Sequence, residues 1–574
     1  MTLVVSGMGI AISVTGRTAR AGAVFPLRGR LRDSIGPPDT GGYRPRMALA
    51  PVTETDVLVI GGGPVGAALT IDLMQRGVRC RLIERHPEPQ PIPKGQNLTQ
   101  RTMEYLALLG VEDAVRESRT LRSSEAAGGM TIYGTFLGDY GHDWLLRSSV
   151  SSFYHRTSER LPQPVTERAL RRRLADLQAD VAYGWTAESL EAGDDDVAVR
   201  SRTSTGETTV TRARFVVGCD GSSSMTRTAA GIGQRRVDHD RKMALIIFRS
   251  PEMDELATRY AHRQFFTILH PRLDGYWQFL GRVDDQSRWF FHAPVPVDST
   301  VSGLDVDALV AAAVGRSVAL QAEHVGFWDL RFAIADEYRA GRVFIAGDAA
   351  HSHPPYGGYG INSGLEDAGN LAWKLALALR TGDERILDSY DEERRPVFES
   401  TAVDFIDRSI RQDREFLRRY ADAERASFEA EWQRRADLAA ADVGRFAPHY
   451  GASPIVIDGD GSTSAVGDHR VQARAGYHLA PWRAGDATML SLLGKEFTLL
   501  TDEPARASAL AEESGSIGVP LEVVAIGPEA VDAYGTHEVL VRPDLYVAWV
   551  SSGEERLSLD VLGAVTAQPV AASR

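Results

Sequence analysis

Only two cysteines occur in 574 residues, Cys80 and Cys219, and each lies inside an apolar stretch that reads as a strand. Two thiols so placed exclude a disulfide framework and a thiolate metal site, and a reducing, cytoplasmic setting fits. Positive charge is also short. Against 77 Asp and Glu stand 64 Lys and Arg, a net charge of -13, and the arginines are dispersed, so there is no clustered surface for nucleic-acid phosphates. No apolar run approaches the roughly 18 residues that a membrane helix needs. The longest uncharged one, within MTLVVSGMGIAISVTGRTARAGA at the N-terminus, is broken by glycines and has no positive residue ahead of it, as a secretory signal would. With Met47 just before the first convincing strand, residues 1–53 are expected to be an upstream start or a disordered leader.

Apolar content, by contrast, is ample: 43% of the chain, enough for large cores and, by length, roughly three or four domain-sized units. Residues 55–85, TDVLVIGGGPVGAALTIDLMQRGVRCRLIER, run strand, glycine turn, amphipathic helix and second strand, the order of a βαβ unit. Gly61, Gly63 and Gly66 spell G-x-G-x-x-G: the first makes a tight turn, the second admits backbone to a pyrophosphate, the third packs helix on strand. The phosphate then lies on the helix N-terminus. Glu84, eighteen residues past Gly66, is placed to accept hydrogen bonds from a ribose diol. Together these features point to dinucleotide binding; the bland alternative is a glycine turn with Glu84 merely solvated.

A second segment, RFVVGCDGSSSMTR at 214–227, ends a buried strand in Asp220 and Gly221, by itself an ordinary turn. From about 234 to 330 come long aromatic-rich strands, KMALIIFRS, FFTILHP, GYWQFLGRV and RWFFHAPV, expected to form an antiparallel sheet that walls an apolar pocket. Residues 344–376, FIAGDAAHSHPPYGGYGINSGLEDAGNLAWKLA, strip away side chains and then begin a helix. Its stripe Leu365, Ala368, Ala372, Leu375 and Leu379 has helical spacing and is expected to be core. His351 and His353, two apart with no partner carboxylate, fit no common metal site and are expected to satisfy local backbone groups. Residues 383–441 are charge-rich and read as surface helices, and 446–476 as a linker. MLSLLGKEFTLLTD, PLEVVAIG, HEVLVRP and YVAWVS read as a separate small α/β domain, without cysteine and so without a redox role.

With Gly61 to Gly66, Asp220-Gly221 and Gly347-Asp348 in that order, the chain from about 54 to 550 resembles the single-component FAD-dependent aromatic hydroxylases. This is the para-hydroxybenzoate hydroxylase-like class, and the likeness is to its larger phenol and polyketide hydroxylases. The resemblance implies an α/β fold. A Rossmann-like FAD-binding domain would span 54–233 and 331–445, an inserted antiparallel substrate sheet 234–330, and a thioredoxin-like domain 477–574. It implies that Gly61, Gly63, Pro64, Gly66, Glu84 and Arg85 hold the ADP half of FAD, and that Asp348, beside Gly347, accepts from the ribityl chain. Asp220 would lie close to the pyrophosphate, and Gln163 against the FAD. Where the family reads Pro-Arg-Ala this chain has Pro93, Lys94 and Gly95. Lys94 supplies charge without a two-pronged guanidinium, and Arg101 is the candidate to take over. Pro355, Gly358, Gly360, Ile361 and Asn362 complete the expected cofactor set.

On that reading the bare glycines 357, 358 and 360 let backbone press on the isoalloxazine ring, and the helix starting near Gly360 offers unpaired N–H groups to negative charge on reduced flavin. Pro354 would lie at the edge where oxygen reacts. NADPH or NADH would reduce the FAD, O2 would add at flavin C4a, and the hydroperoxide would hydroxylate a phenolic or polycyclic aromatic substrate. The cofactor carries that chemistry; the protein excludes water and holds the ring. Tyr276, Trp277, Phe279, Trp289 and Phe291 are pocket candidates, of which strand alternation puts about half inside; Trp277 and Phe279 are the chosen pair. His270 and His292 are candidates for a base on the phenol, His292 preferred, and each also reads as an ordinary strand histidine. No second G-x-G-x-x-G seats the nicotinamide. The same motifs serve an epoxidase or reductase of this fold, or a flavoprotein that binds without turnover. No nucleic acid, membrane or metal partner is expected, and a homodimer is left open.

Overall fold

The computed structural model describes residues 51–92, 95–121, 128–260, 263–483 and 488–568; residues 1–50 of the expected leader, and Lys94, lie outside them. Val57, Leu58, Val59 and Ile60 are all buried, the unbroken apolar run of a strand covered on both faces. Their strand, Val52–Ile60, is central to the first sheet. Spatial order there is Arg339–Ala340, Val343–Ile345, Thr208–Gly218, Val52–Ile60, Cys80–Glu84 and Asp180–Tyr183, parallel from the second strand onward. Register pairs Ile60 with Gly218 and with Ile83, and Gly218 with Ile345. The carboxyl ends of four strands therefore finish at one edge, the crevice where open α/β sheets bind ligands. Gly61, Glu84, Asp220 and Asp348 all leave the sheet there.

Two helices cover this edge. Pro64–Gln75 opens with proline at its first position, where the missing N–H costs nothing. Gly360–Thr381 ends at Gly382 in the left-handed region, φ 76°, a common helix stop. The helices touch closely: a Cβ on Gly364 would lie 2.7 Å from Val65 Cγ2. The stripe Leu365, Ala368, Ala372 and Leu375 is buried, with Leu379 partly so, as its spacing predicts.

The second sheet is wider than the 234–330 segment. In spatial order it runs His351–Ser352, Gln321–Ala335, Gln234–Arg249, Arg288–Pro296, Gln278–Arg282, Phe265–Leu269, Gly129–Tyr133 and Gly141–Trp144. Strands from both flanking segments join it, and Phe265–Leu269 pairs in parallel with Gly129–Tyr133, so it is not purely antiparallel. Alternation sorts its aromatics: Trp289 and Phe291 pack with Val310 and Ala313 of the helix Val306–Val314, whereas Trp277 and Phe279 join the opposite cluster with Tyr356.

Two expectations need correction. The charge-rich region is not merely a solvated surface: Phe405, Ile410 and Phe416 of Thr401–Asp407 and Arg408–Tyr420, and Phe428 and Trp432 of Arg425–Arg445, bury one face against the second sheet. The 446–476 segment is no loose linker either. It carries paired strands Phe446–Tyr450 and Thr463–Val466, with Tyr450 and Ile455 buried. The C-terminal sheet has the order Leu521–Ala525, Phe497–Thr501, Glu538–Val541, Val547–Val550, the first pair parallel and the others antiparallel, which is the expected thioredoxin-like arrangement. Among the described residues no helix is long and apolar enough to cross a membrane.

Candidate active site

At the first glycine turn Gly61 has φ +105°, and a Cβ on Gly66 would lie 1.9 Å from the Gly61 carbonyl oxygen; no other residue type fits either place. A Cβ on Gly63 would meet nothing within 4 Å, so that side of the turn is open. No side chain caps the helix that follows, and its first N–H groups are available to an anion. Glu84 lies at the adjacent strand end with Oε2 accepting from the Gly62 N–H at 2.6 Å and Oε1 from the His86 N–H at 2.6 Å. These bonds fix the carboxylate at the sheet edge. Arg85 beside it is exposed.

Asp220 lies against the glycine turn, its Cα 3.0 Å from the Cβ position of Gly61. Its Oδ1 accepts from Ser224 Oγ at 2.5 Å, and its Oδ2 from the N–H and hydroxyl of Thr226, each at 3.0 Å. The carboxylate is thus bonded within its own turn, and backbone atoms of Cys219 and Asp220 are the nearest neighbours of a Cβ at Gly61. Asp348 is exposed in the short turn Gly347–Ala349. Beneath it Asp367 accepts from the Gly347 N–H at 2.9 Å, His351 Nε2 at 2.7 Å and Arg394 Nε at 2.8 Å. Burial alone would raise this carboxyl, but His351 and Arg394 hold it below the usual range. His351 therefore serves a buried carboxylate rather than backbone. His353 does bond backbone, donating from Nδ1 to the Pro354 carbonyl at 2.6 Å. Among the described residues no group of side chains is suited to a metal.

The stretch after Pro354 shows why its glycines are bare. Gly357 and Gly358 have φ +80° and +64°, and a Cβ on Gly357 would lie 2.2 Å from the Tyr359 ring. Their absence of side chains is explained by the chain's own turn. Gly360 is different, with no atom closer than 4.0 Å to its Cβ position, and it opens a helix that has no side-chain cap. Asn362 is spent internally: it accepts from the Thr99 N–H at 2.9 Å and the Thr102 hydroxyl at 2.7 Å, and donates to the carbonyls of Asn97 at 2.9 Å and Gly358 at 2.7 Å. All four bonding positions of its amide are used, so the side chain binds the cradle together, not a cofactor. Gln163 donates its side-chain amide to Glu167 at 2.7 Å and its backbone N–H to the Gly95 carbonyl at 2.7 Å, and a Cβ on Gly95 would lie 3.4 Å from Ile361 and 3.5 Å from Gln163 Oε1.

Arg101 is the clearest misplacement. Its guanidinium lies 4.6 Å over the Tyr546 ring and lines a separate cavity of about 470 Å3 with Asp72, Arg76 and Asp544, towards the far end of the Pro64–Gln75 helix. Helix geometry explains this: Thr99 and Thr102 face Asn362, which turns Arg101 the other way.

Facing the Pro354–Gly360 stretch is an aromatic wall. Tyr356 packs edge-on to Trp277 with centroids 4.9 Å apart and to Trp144 at 5.3 Å, and Trp144 stacks on Phe279 at 5.8 Å. The Tyr356 hydroxyl donates to Asp413 at 2.8 Å. His292 sits on this face beside Phe279 and Trp328, where burial pushes it down to about 4, so it stays neutral and accepts a proton poorly. His270 accepts from the Arg272 N–H at 3.0 Å in an exposed turn. Trp277 Nε1, His292 Nδ1 and His353 Nε2 are buried without hydrogen-bond partners among the described residues.

Residues 54–405 match the FAD binding domain family, and residues 473–569 match the family described as aromatic-ring hydroxylase, C-terminal. The chain belongs to the FAD-dependent aromatic-ring hydroxylases. This hydroxylase is 32% identical to a 4-methyl-5-nitrocatechol 5-monooxygenase of Burkholderia sp, over 87% of its own length and 95% of the relative's. It is 28% identical to a 2,4-dichlorophenol 6-monooxygenase of Cupriavidus pinatubonensis, over 87% and 94%. Among solved structures, the rebeccamycin biosynthetic enzyme RebC with reduced flavin superposes with a TM-score of 0.74 at 28% identity, covering 90% of the hydroxylase and 99% of RebC. Tyr356, Asp367, Asp413 and Arg435 are site-region residues that motif reading missed. Asp367 had a signal: it falls on the buried face with Gly364 and Leu371, three and four residues away.

Proposed function

We propose that this hydroxylase is a monooxygenase that uses NADPH or NADH and O2 to hydroxylate a substituted phenol. The observation that carries the reading is the aromatic wall of Trp144, Trp277 and Phe279 closing on Tyr356, beside an uncapped helix start and a bare dinucleotide turn at one sheet edge. FAD fits the residues present: the turn at Gly61–Gly66 and Glu84 suit its ADP half, Asp348 its ribityl chain, and Gln163, Gly95, Ile361 and Gly360 its ring system. When bound, FAD would relay the reducing equivalents of the nicotinamide to oxygen and so activate it. The chain's own residues then do three things. The Gly360 helix start, with its N–H groups and dipole, stabilises negative charge on the ring system. The buried wall keeps water out. Pro354 and the Trp277–Phe279 pair position the substrate ring. That two relatives sharing nearly the full chain carry phenol- and catechol-acting names supports a small phenolic substrate.

The test is oxidation of NADPH and of NADH by flavin-loaded protein, alone and with 2,4-dichlorophenol, 4-methyl-5-nitrocatechol and larger polyphenols, with products read by mass. Stimulated oxidation with a product one oxygen heavier is expected. A flat response across the panel would overturn the reading. Asp348→Ala is expected to purify largely colourless; a variant with stoichiometric yellow cofactor would refute the ribityl assignment.

A further inference from the structure

Beside Tyr356 and Gly357 lies a cavity of about 50 Å3, lined on one side by Thr131, His142 and Trp144 and on the other by Asp413 and Arg435. It is too small for an aromatic ring and large enough for one polar substituent or a few waters. Arg435 donates to one oxygen of Asp413, and the Tyr356 hydroxyl donates to the other at 2.8 Å. Asp413 and the Tyr356 proton are thereby committed. Two polar atoms remain. Arg435 Nε and His142 Nε2 are buried and have no hydrogen-bond partner among the described residues, in side chains of residues only 9% and 8% exposed. Nδ1 of His142 lies 2.9 Å from the Asp143 carbonyl oxygen, so Nδ1 carries the ring proton and Nε2 presents a lone pair. Burial, reinforced by the Arg435 charge, pushes this imidazole below its ordinary range.

One N–H donor and one lone pair, on two side chains that line the same cavity, are the complement of a hydroxyl group, and leaving either unpaired costs about 1–3 kcal/mol. We propose that His142 and Arg435 form the seat for a phenolic hydroxyl of the substrate, its O–H donating to His142 Nε2 and its oxygen accepting from Arg435 Nε, with the ring against Trp144 and Tyr356. This rests on the phenol-hydroxylase reading above and names the side chains that select the phenol. An aryl methyl ether has no proton to donate to His142.

Flavin-loaded wild-type protein, His142→Leu, His142→Gln and Arg435→Lys are to be compared with 2,4-dichlorophenol and 4-methyl-5-nitrocatechol and with their methyl ethers, reading kcat and KM for stimulated NAD(P)H oxidation, product formation and flavin content. Wild type is expected to favour phenol over ether by about tenfold or more, on the scale of one buried unpaired group. His142→Leu should lose that ratio through a raised KM for the phenol, with flavin content unchanged. His142→Gln, whose amide oxygen reaches the place of Nε2, should keep most of it. Arg435→Lys, which retains a cation for Asp413, should weaken the phenol and not the ether, and it stands as the second reading if His142→Leu folds poorly. Turnover by wild type with the ratio unchanged in His142→Leu and Arg435→Lys would overturn the seat alone and leave a water-filled cavity. No turnover of any phenol by wild type would overturn the phenol reading and the seat with it.

Discussion

Replacing Glu393 by glutamine tests how the C-terminal unit is held. Glu393 is fully buried, and its Oε2 accepts from Lys374 Nζ at 2.7 Å, Asn370 Nδ2 at 2.6 Å and an Arg542 nitrogen at 2.8 Å, while Oε1 accepts from Ser453 Oγ and the other Arg542 nitrogen, both at 2.6 Å. Lys374 and Arg542 are themselves buried, so one carboxylate serves two cations from different parts of the chain. A glutamine amide cannot face three donors with its nitrogen. Flipped, it loses one Arg542 bond, and in either pose the carboxylate charge between the two cations is gone, leaving Asp544 at 2.6 Å from Arg542 and the neutral Asn370 Oδ1 at 2.9 Å from Lys374. Breaking a buried pair by removing one partner costs about 3–5 kcal/mol, a shift of two to three and a half orders of magnitude in the unfolding equilibrium at about 1.4 kcal/mol per tenfold. The pH dependence has a definite sign. Burial pulls the Lys374 ammonium down to about 8 against the attraction of Glu393, and without that attraction it falls further. A folded-state value below the unfolded one of about 10.4 means the unfolded chain binds more protons across that window, so stability there rises with pH. The wild-type ammonium keeps its proton in both states below about pH 8, whereas the variant's loses it on folding, so the deficit of Glu393→Gln should narrow as pH rises towards about 8, by up to about 1.4 kcal/mol per pH unit, and level off above it. Urea unfolding at several pH values, followed by tryptophan fluorescence, reads both quantities. A deficit under about 1 kcal/mol, or one that does not change with pH, would refute the reasoning.

Gly63→Ala should fold like wild type, because φ is -67° and the new methyl meets no protein atom, yet bind FAD at least about tenfold more weakly through collision with the phosphate; titration of apoprotein by flavin fluorescence quenching checks it, and unchanged affinity would displace the phosphate from this turn. Arg101→Met should keep full flavin content, since its guanidinium stacks on Tyr546 and not on the cofactor; a colourless variant would restore the phosphate role. Asn362→Asp should lose flavin, because a carboxylate would face the carbonyls of Asn97 and Gly358 now bonded at 2.9 and 2.7 Å, each lost or repelled contact costing about 1–3 kcal/mol; the absorbance ratio of purified protein reports it.

What could be read from sequence was what depends on neighbours in the chain. The Gly61–Gly66 turn, Glu84 at its strand end, and the stripe from Leu365 to Leu375 each follow from a few consecutive residues, and all stand where spacing puts them. Side-chain commitments were harder. Asp220 and Asn362 occupy the right loops, but their polar atoms are consumed by Thr226 and Thr99, which no motif reveals, and Arg101 is turned away by the partners of its own helix. The hardest were pairs joined only by the fold. Asp413 and Arg435 are 22 residues apart on two helices, and His142 comes from a strand outside the aromatic-rich segment. A stretch dense in charges reads as solvated when charges are counted one at a time. It becomes an interior wall once a carboxylate on one helix meets a guanidinium on the next, because burying a charge is costly only while it lacks a partner. The bonds among Tyr356, Asp413 and Arg435 satisfy that condition and leave Arg435 Nε over. The same physics that hid this helix face from the sequence is what gives it a donor to offer a substrate.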